Sequence, residues 1–346
     1  MQRCQALLYQ TRRYQTRLCQ TLASVLRAAA FLSLFVAAPA FGQDAAANFP
    51  VKPVKLIVPY APGGLPDTMS RIVAQRLSES LGQQFVVDNR PSAGGLIACE
   101  MVASAVADGY TLLVADVGQT AINPALYRKL SYNPVSDFAP VSLMGTSPLF
   151  LVAHASVPAS NFSELMALLK SKPGQINYGS AGIGSVHHLT MEMLKAQARV
   201  NVIHVPYKGS GQSVPALVGG QVSLLFTALP AMAAHIKAGS VKVFAVNTLE
   251  RSAQEPNVPT FTELGIPDMD LIPEIGILAP AATPGPVVNK LSAEIAKAVR
   301  NPDTVQRFKA LGIDPVGNSP EAYAALIRAD IGKYAKAVKL SGATAD

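Results

Sequence analysis

Tryptophan is absent from this chain, and charged residues make up only 15% of it, against about 25% for an average soluble protein. After the N-terminus no uninterrupted apolar run approaches the ~20 residues that a membrane-spanning helix needs. The positive mean hydropathy of +0.26 therefore belongs to a protein with a large core and not to an integral membrane protein. Cysteine is scarce at three residues. Two of them, Cys4 and Cys19, lie in the first turns of the chain. Cys99 stands alone in Leu96-Ile-Ala-Cys-Glu-Met-Val102, so the body of the protein has no disulfide partner for it, and it reads as a small buried hydrophobe. Catalytic and nucleotide signatures are missing too. There is no Gly-x-Ser-x-Gly elbow, and no Gly-Lys-Ser/Thr closes a P-loop. Gly179, Gly182 and Gly184 are spaced GxxGxG and not as a dinucleotide fingerprint.

Acid is also missing from the start. Residues 1–27 carry Arg3, Arg12, Arg13, Arg17 and Arg27 and no Asp or Glu. Ala28-Ala-Ala-Phe-Leu-Ser-Leu-Phe-Val-Ala-Ala38 follows, then Pro39-Ala-Phe-Gly-Gln43. A basic segment, a short apolar core and small residues at −3 and −1 make a secretory signal, with cleavage after Ala40 or Gly42 fitting equally well. Loss of residues 1–42 removes five arginines and takes the formal net charge from +7 to +2. A nucleic-acid partner would need clustered Lys/Arg on one face, and that expectation fails once the basic leader is gone.

At 346 residues the chain is long enough for two lobes. Strand 54–60, helix 69–81 closed by Gly82, strand 84–88, helix 96–106 and strand 111–115 alternate, which predicts a parallel sheet with right-handed crossovers. Two consecutive apolar runs, 141–144 and 149–153, break the rhythm. A second alternating set follows: helix 162–171, strand 175–179, helix 185–197, strand 201–206, helix 213–218, strand 222–227, helix 230–238 and strand 241–246. A Pro-rich stretch leads to strand 275–279 and helices 286–300, 302–311 and 320–339. The expected organisation is a signal peptide over 1–42, lobe 1 from 43–144 and 244–346, and lobe 2 from 145–243. Two crossings would form a hinge beside a ligand cleft.

Three glycine-rich turns follow strands and open helices: Pro62-Gly-Gly-Leu-Pro-Asp67, Gly179-Ser-Ala-Gly-Ile-Gly-Ser185 and Tyr207-Lys-Gly-Ser-Gly211. Glycine lets backbone approach a ligand, and the first turn of a helix offers unpaired N–H groups with positive partial charge. Several such turns aimed at one point make an anion site without arginine. Asp67 reads as a helix N-cap, as a contact for a ligand amine or hydroxyl, or as both. Tyr60 and Tyr207 end strands beside these turns, where a phenol can donate to a carboxylate. His187 and His188 are adjacent and point about 100° apart on a helix, so they cannot chelate one metal as an i, i+4 pair does. One of them is expected to face the cleft and the other solvent.

These segments carry a family resemblance. Lys52-Pro-Val-Lys-Leu-Ile-Val-Pro-Tyr-Ala-Pro-Gly-Gly64, Val87-Asp-Asn-Arg-Pro91, Asp108-Gly-Tyr-Thr111, Ala121-Ile-Asn-Pro-Ala-Leu-Tyr127, His204-Val-Pro-Tyr-Lys-Gly-Ser210, Gly219-Gly-Gln-Val222 and Pro256-Asn-Val-Pro-Thr260 run in the order found in the tripartite tricarboxylate transporter substrate-binding proteins, the Bug-type periplasmic receptors, which the chain resembles. The resemblance implies an α/β, two-lobed periplasmic-binding-protein type II fold, each lobe a mostly parallel sheet flanked by helices. It implies a periplasmic receptor, with no catalysis, cofactor or metal, that captures a small carboxylate and delivers it to inner-membrane permease subunits. A monomer is expected. The residues it implies at the ligand are Tyr60, Gly63, Gly64, Leu65 and Asp67; Gln119 and Asn123; Ser180, Ala181, Gly184, Ser185 and His188; and Tyr207. Thr227 and Glu274 join them as departures. Thr227 stands where the family usually has Asp, and Glu274 lies near the position of a family Trp. Gly64-Leu-Pro-Asp67 replaces the usual Gly-x-Thr-Asp. If Glu274 faces the cleft it repels a polycarboxylate or pairs with a ligand amine; if it faces water it does neither. Two other classes remain: a receptor that docks a membrane sensor, and an enzyme on the same fold using His188, Glu274 or Asp67.

Overall fold

The computed structural model describes residues 46–345. The expected signal segment, its cleavage sites, Cys4 and Cys19 lie outside the described residues.

Strand β1 (Val54–Val58) is covered on both faces and pairs in parallel with β2 (Phe85–Asn89) and β3 (Thr111–Ala115). Between them α1 (Leu65–Leu81) buries Met69, Ile72, Val73 and Leu77 at helical spacing. It begins with extended Gly64 and Pro66, and it stops at Gly82, whose φ of 68° puts it in the left-handed region. Helix α2 (Leu96–Ala103) covers the other face. The sheet is completed by β4 (Phe138–Thr146), β10 (Glu274–Pro280) and the short β11 (Asp314–Pro315), in the order β11-β4-β10-β3-β1-β2. The second sheet contains β5 (Phe150–His154), β6 (Asn177–Ser180), β7 (Ile203–Pro206), β8 (Leu224–Thr227) and β9 (Val241–Val246), in the order β7-β6-β8-β5-β9. Its helices are α4 (Phe162–Ser171), α5 (Val186–Ala198), α6 (Ser210–Val218) and α7 (Ala233–Lys237).

Both sheets are mixed where strand–helix alternation predicts parallel pairing. Strands β1–β3 and β6–β8 pair in parallel, whereas β10 is antiparallel to β3 and β4, and β5 is antiparallel to β8 and β9. The reason is connectivity. β5 and β10 each enter their sheet directly from a crossing segment, whereas their neighbours β9 and β4 leave the sheets into one, so entering and leaving strands run in opposite directions.

The crossing segments lie side by side. Ser147 donates its N–H to Pro273 O at 3.0 Å. The buried Asn247 accepts the Leu149 N–H at 2.8 Å and donates to Leu271 O at 2.5 Å. The late helices are α8 (Gly285–Arg300), α9 (Pro302–Ala310) and α10 (Pro320–Ser341). Val287, Leu291, Ile295 and Val299 of α8 pack into the first sheet's core. Helix α10 starts where expected, with the Ser319 hydroxyl accepting the Ala322 N–H. Its Tyr323 and Ile327 belong to the first core, and its Tyr334, Ala337 and Val338 to the core of the second sheet. Cys99 is fully buried, and burial pushes its thiol up to about 12, which leaves no thiolate for nucleophilic work.

Candidate functional site

The first-lobe turn is held by a buried and a half-buried carboxylate. Asp67 is not the N-cap of α1; extended Gly64 occupies that position without a side-chain bond. From the third helical position the Asp67 carboxylate reaches back to accept the Gly63 N–H at 2.9 Å, as the N3 acid of a capping box does. It also accepts from Arg71 Nε at 3.0 Å and from Asn89 Nδ2 at 3.0 Å, and the same Asn89 amide donates to Tyr60 O. Burial alone would raise this carboxyl, but the bonds from Arg71, Gly63 and Asn89 outweigh it and hold it below the ordinary carboxylate range.

The second carboxylate is Asp116, which sequence reasoning missed. The Tyr60 hydroxyl donates to Asp116 Oδ2 at 2.6 Å and accepts from Gln119 Nε2 at 3.0 Å. Asp116 Oδ1 accepts the Gly118 N–H. Burial raises the Asp116 carboxyl against the pull of these bonds. The phenol of Tyr60 is therefore committed to Asp116 and is not the carboxylate donor that its place at a strand end suggested. The only sequence signal for Asp116 was its position just after β3.

Gln119 and Asn123 come together with Tyr60 as expected, but they are buried at 2% exposure each. Gln119 lies in a π-helical turn, Gly118–Ile122, that runs into the short helix α3 (Asn123–Leu126), a segment where no helix was expected. Gln119 Nε2 and Asn123 Nδ2 both donate to Gly94 O, at 3.2 and 2.7 Å, and Asn123 also bonds the Tyr132 hydroxyl. Their amides brace the Gly94–Gly95 turn. Among the described residues the N–H groups of Leu65 and Asp67, in the first turn of α1 where no preceding helical carbonyl exists, make no hydrogen bond.

In the second lobe Ser180, Ala181, Gly184, Ser185, Tyr207 and Thr227 gather at the carboxyl ends of β6, β7 and β8. Tyr207 donates its N–H to Ser180 O at 3.2 Å, and Gly209 donates to Ala181 O at 3.1 Å. Thr227 ends β8 at 2% exposure. The Tyr207 hydroxyl makes no hydrogen bond among the described residues, so of the two strand-end phenols it is the available one. Ser185 caps α5, accepting the His188 N–H and donating to Gly182 O at 2.7 Å. Within the 180–185 loop the Gly182 N–H goes to Ser180 Oγ at 3.0 Å, the Gly184 N–H to His188 Nδ1 at 3.1 Å, and the Ser185 N–H to Gly182 O at 3.1 Å. The intervening N–H groups of Ala181 and Ile183 make no hydrogen bond among the described residues. Ile183 was absent from the expected set, and its side chain is 57% exposed.

Neither histidine of the adjacent pair takes its expected position. His188 is 6% exposed and stacks on His204, with ring centroids 4.1 Å apart and planes 13° apart. His187 buries its Nδ1 without a partner, and burial alone pushes it down to about 4. His188 is buried and His187 half-buried on α5, which packs against its own sheet and against α10. Glu274 is half-buried. It lies opposite Thr146 at the start of β10 and is paired with Asp330 of α10. Burial first, then the Asp330 charge and hydrogen bond, raise it to about 8. Among the described residues no cluster of His, Cys, Asp and Glu has the make-up of a metal site.

The two loop systems meet through one element. A Cβ on Gly184 would overlap the side chain of Leu126 in α3, the helix that continues from Gln119. Two α/β lobes with glycine turns and helix starts at adjoining strand ends, and buried histidines and acids tied into structural bonds, define a solute-binding receptor. Residues 69–342 match the family model described as the tripartite tricarboxylate transporter family receptor, and the chain belongs to that family. BugT of Bordetella pertussis is 33% identical over 322 residues, covering 92% of this chain and 99% of BugT. An R. palustris protein solved with adipate superposes with a TM-score of 0.80 at 33% identity, over 86% of this chain and 99% of that one. The periplasmic binding protein BugD superposes with a TM-score of 0.77, also at 33% identity, over 86% and 99%. The family is thus one of transporter receptors, and BugD is a periplasmic binding protein.

Proposed function

We propose that the protein captures a small organic acid between its two lobes in the periplasm and hands it to the permease subunits of a tripartite transporter. In this reading a cleavable signal over 1–42 exports the chain, which works as a monomer. The lobes divide near residues 145 and 243, with 244–346 returning to lobe 1. The observation that carries the reading is the set of N–H donors without a partner among the described residues in two glycine-rich loops: Leu65 and Asp67 in one, Ala181 and Ile183 in the other. Main-chain amides at helix starts suit an anion that must later be released. Tyr207 and Thr227 are the side-chain hydroxyls proposed to reach the ligand. Gly63, Gly64, Gly184, Tyr60, Gln119 and Asn123 shape the loops around it. Adipate in an R. palustris neighbour of the same fold supports a carboxylate as the ligand class.

A thermal-shift screen of the mature chain tests this. Mono- and dicarboxylates are expected to raise the melting temperature with concentration, by the equivalent of about 2.7 kcal/mol at a hundredfold excess over Kd. Stabilisation by amides or amines and by no acid would overturn the carboxylate assignment.

A further inference from the structure

We propose that His188 is the positioning residue of the second-lobe loop: its unprotonated Nδ1 holds the Gly184 N–H inward and thereby leaves the Ala181 and Ile183 N–H groups as the loop's donors. This deepens the receptor reading above and rests on it.

The loop turns its amides alternately. Gly182 has φ of 127° and Gly184 φ of 75°, both in the region that favours glycine. Residues of left-handed conformation between right-handed or extended ones form a concavity of N–H groups suited to an anion. Such a concavity works only if the alternate amides stay inward. Ser180 Oγ, Gly182 O and His188 Nδ1 are the three acceptors that hold them. The first two cannot change character near neutral pH. The imidazole can.

Accepting at Nδ1 places the proton of neutral His188 on Nε2, which lies 3.9 Å from Glu192 Oε1. That oxygen already accepts the Lys195 ammonium at 2.7 Å and the Tyr178 hydroxyl at 2.5 Å, so it has little capacity left to stabilise an imidazolium. His204 covers the ring face, and Tyr178 stacks behind His204 with centroids 4.8 Å apart. His204 Nε2 in turn meets Ser180 Oγ at 2.6 Å, so the two stacked imidazoles support both ends of one loop. The charged and titratable groups around His188 are thus Glu192 and Lys195 from α5, His204 from β7 and Tyr178 from β6. Burial lowers His188, with Glu192 opposing and Lys195 assisting, and burial with the neighbouring imidazole pushes His204 down to about 4. Protonating His188 turns an acceptor into a donor facing another donor, so the Gly184 amide must swing away and the concavity is lost.

The test is hydrogen exchange at the Gly184 amide, read by NMR on the ligand-free mature protein and corrected for intrinsic pH dependence. His188→Phe keeps a ring in the stack but removes the acceptor. His188→Asn places an amide oxygen near the position of Nδ1 and does not titrate. The expected result is exchange about tenfold faster in the Phe variant, from loss of one hydrogen bond, and near wild-type protection in the Asn variant. Wild-type protection should fall as pH is lowered through the imidazole transition, while the Asn variant stays flat. Equal exchange in wild type and the Phe variant, or no rescue by Asn, would overturn the proposal. Adipate affinity is measured in parallel; because exchange is read without ligand, a failure of adipate to bind counts against the receptor reading while His188 is still decided.

Discussion

Replacing Glu274 by Gln should remove an alkaline weakness from this protein. Glu274 and Asp330 share the junction where β10 begins beside the crossing segments and α10 passes over it. Asp330 is 5% exposed. Burial raises the Asp330 carboxyl and burial plus Asp330 raise that of Glu274, to about 8 from an ordinary 4.5. The pair titrates as a unit, so near neutrality it holds one proton. Lys333 offers limited relief, because its ammonium is engaged at 2.7 Å by the Asp270 carboxylate and also bonds the Asp270 carbonyl. Tyr323 and Tyr334 close the surroundings, with the Tyr334 hydroxyl donating to Ile272 O. A carboxyl raised on folding contributes its stability in full below the unfolded pKa, and that stability is lost as pH rises through the folded value. At about 1.36 kcal/mol per unit, the interval from 4.5 to about 8 corresponds to at most roughly 3–5 kcal/mol. That loss accrues across the whole interval, so about two units of it, ~2.7 kcal/mol, fall between pH 6 and pH 9; at about 2–4 °C per kcal/mol for a chain of this size the wild-type melting temperature should drop by roughly 5–10 °C over that range. A Gln at 274 donates to an ionised Asp330 without needing the proton, so Glu274→Gln should lose most of that slope. Differential scanning calorimetry across this range reads both proteins. Parallel alkaline losses in wild type and variant would refute a shared proton at this junction.

Other substitutions probe the loops. Tyr60→Phe leaves half-buried Asp116 without its hydroxyl donor and should destabilise the chain by about 1–3 kcal/mol in a urea titration; no change would mean that Asp116 is satisfied otherwise. Gly184→Ala puts a Cβ into Leu126 and strains a residue at φ 75°, so ligand affinity should fall at least about tenfold by calorimetric titration, with Gly209→Ala, strained at φ 103° but with open space around its Cβ, as the control for backbone strain alone. The acid limb of stability should reflect the histidines: with His187 and His204 depressed to about 4, stability present above pH ~6.5 should be lost as pH falls through about 4, and replacing His187 by Gln should shallow that limb.

The elements were legible because their signals are local. Apolar spacing in Met69, Ile72, Val73 and Leu77 needs only one helix to explain it, and Ser319 before Pro320 marks a helix start without reference to anything distant. The glycine turns at 62–67, 179–185 and 207–211 likewise follow from neighbouring residues alone. Gln119 to Leu126 was not legible, since a π turn leading into one short turn of helix presents no regular apolar period. The composition of each loop was thus readable, while the bonding within it was not.

Sequence by itself determined that this chain makes two α/β units, places glycine-rich turns and helix starts at strand ends, and lacks the apparatus of a nucleotide or hydrolytic enzyme. Only the tertiary structure decided which polar groups are already taken. Tyr60 finds Asp116 56 residues on, Glu274 finds Asp330 56 residues on, and His188 of helix α5 finds its stacking partner on strand β7. A hydrogen-bond donor is available to a ligand only if nothing in the fold has claimed it, and that depends on distances between segments that sequence spacing does not encode.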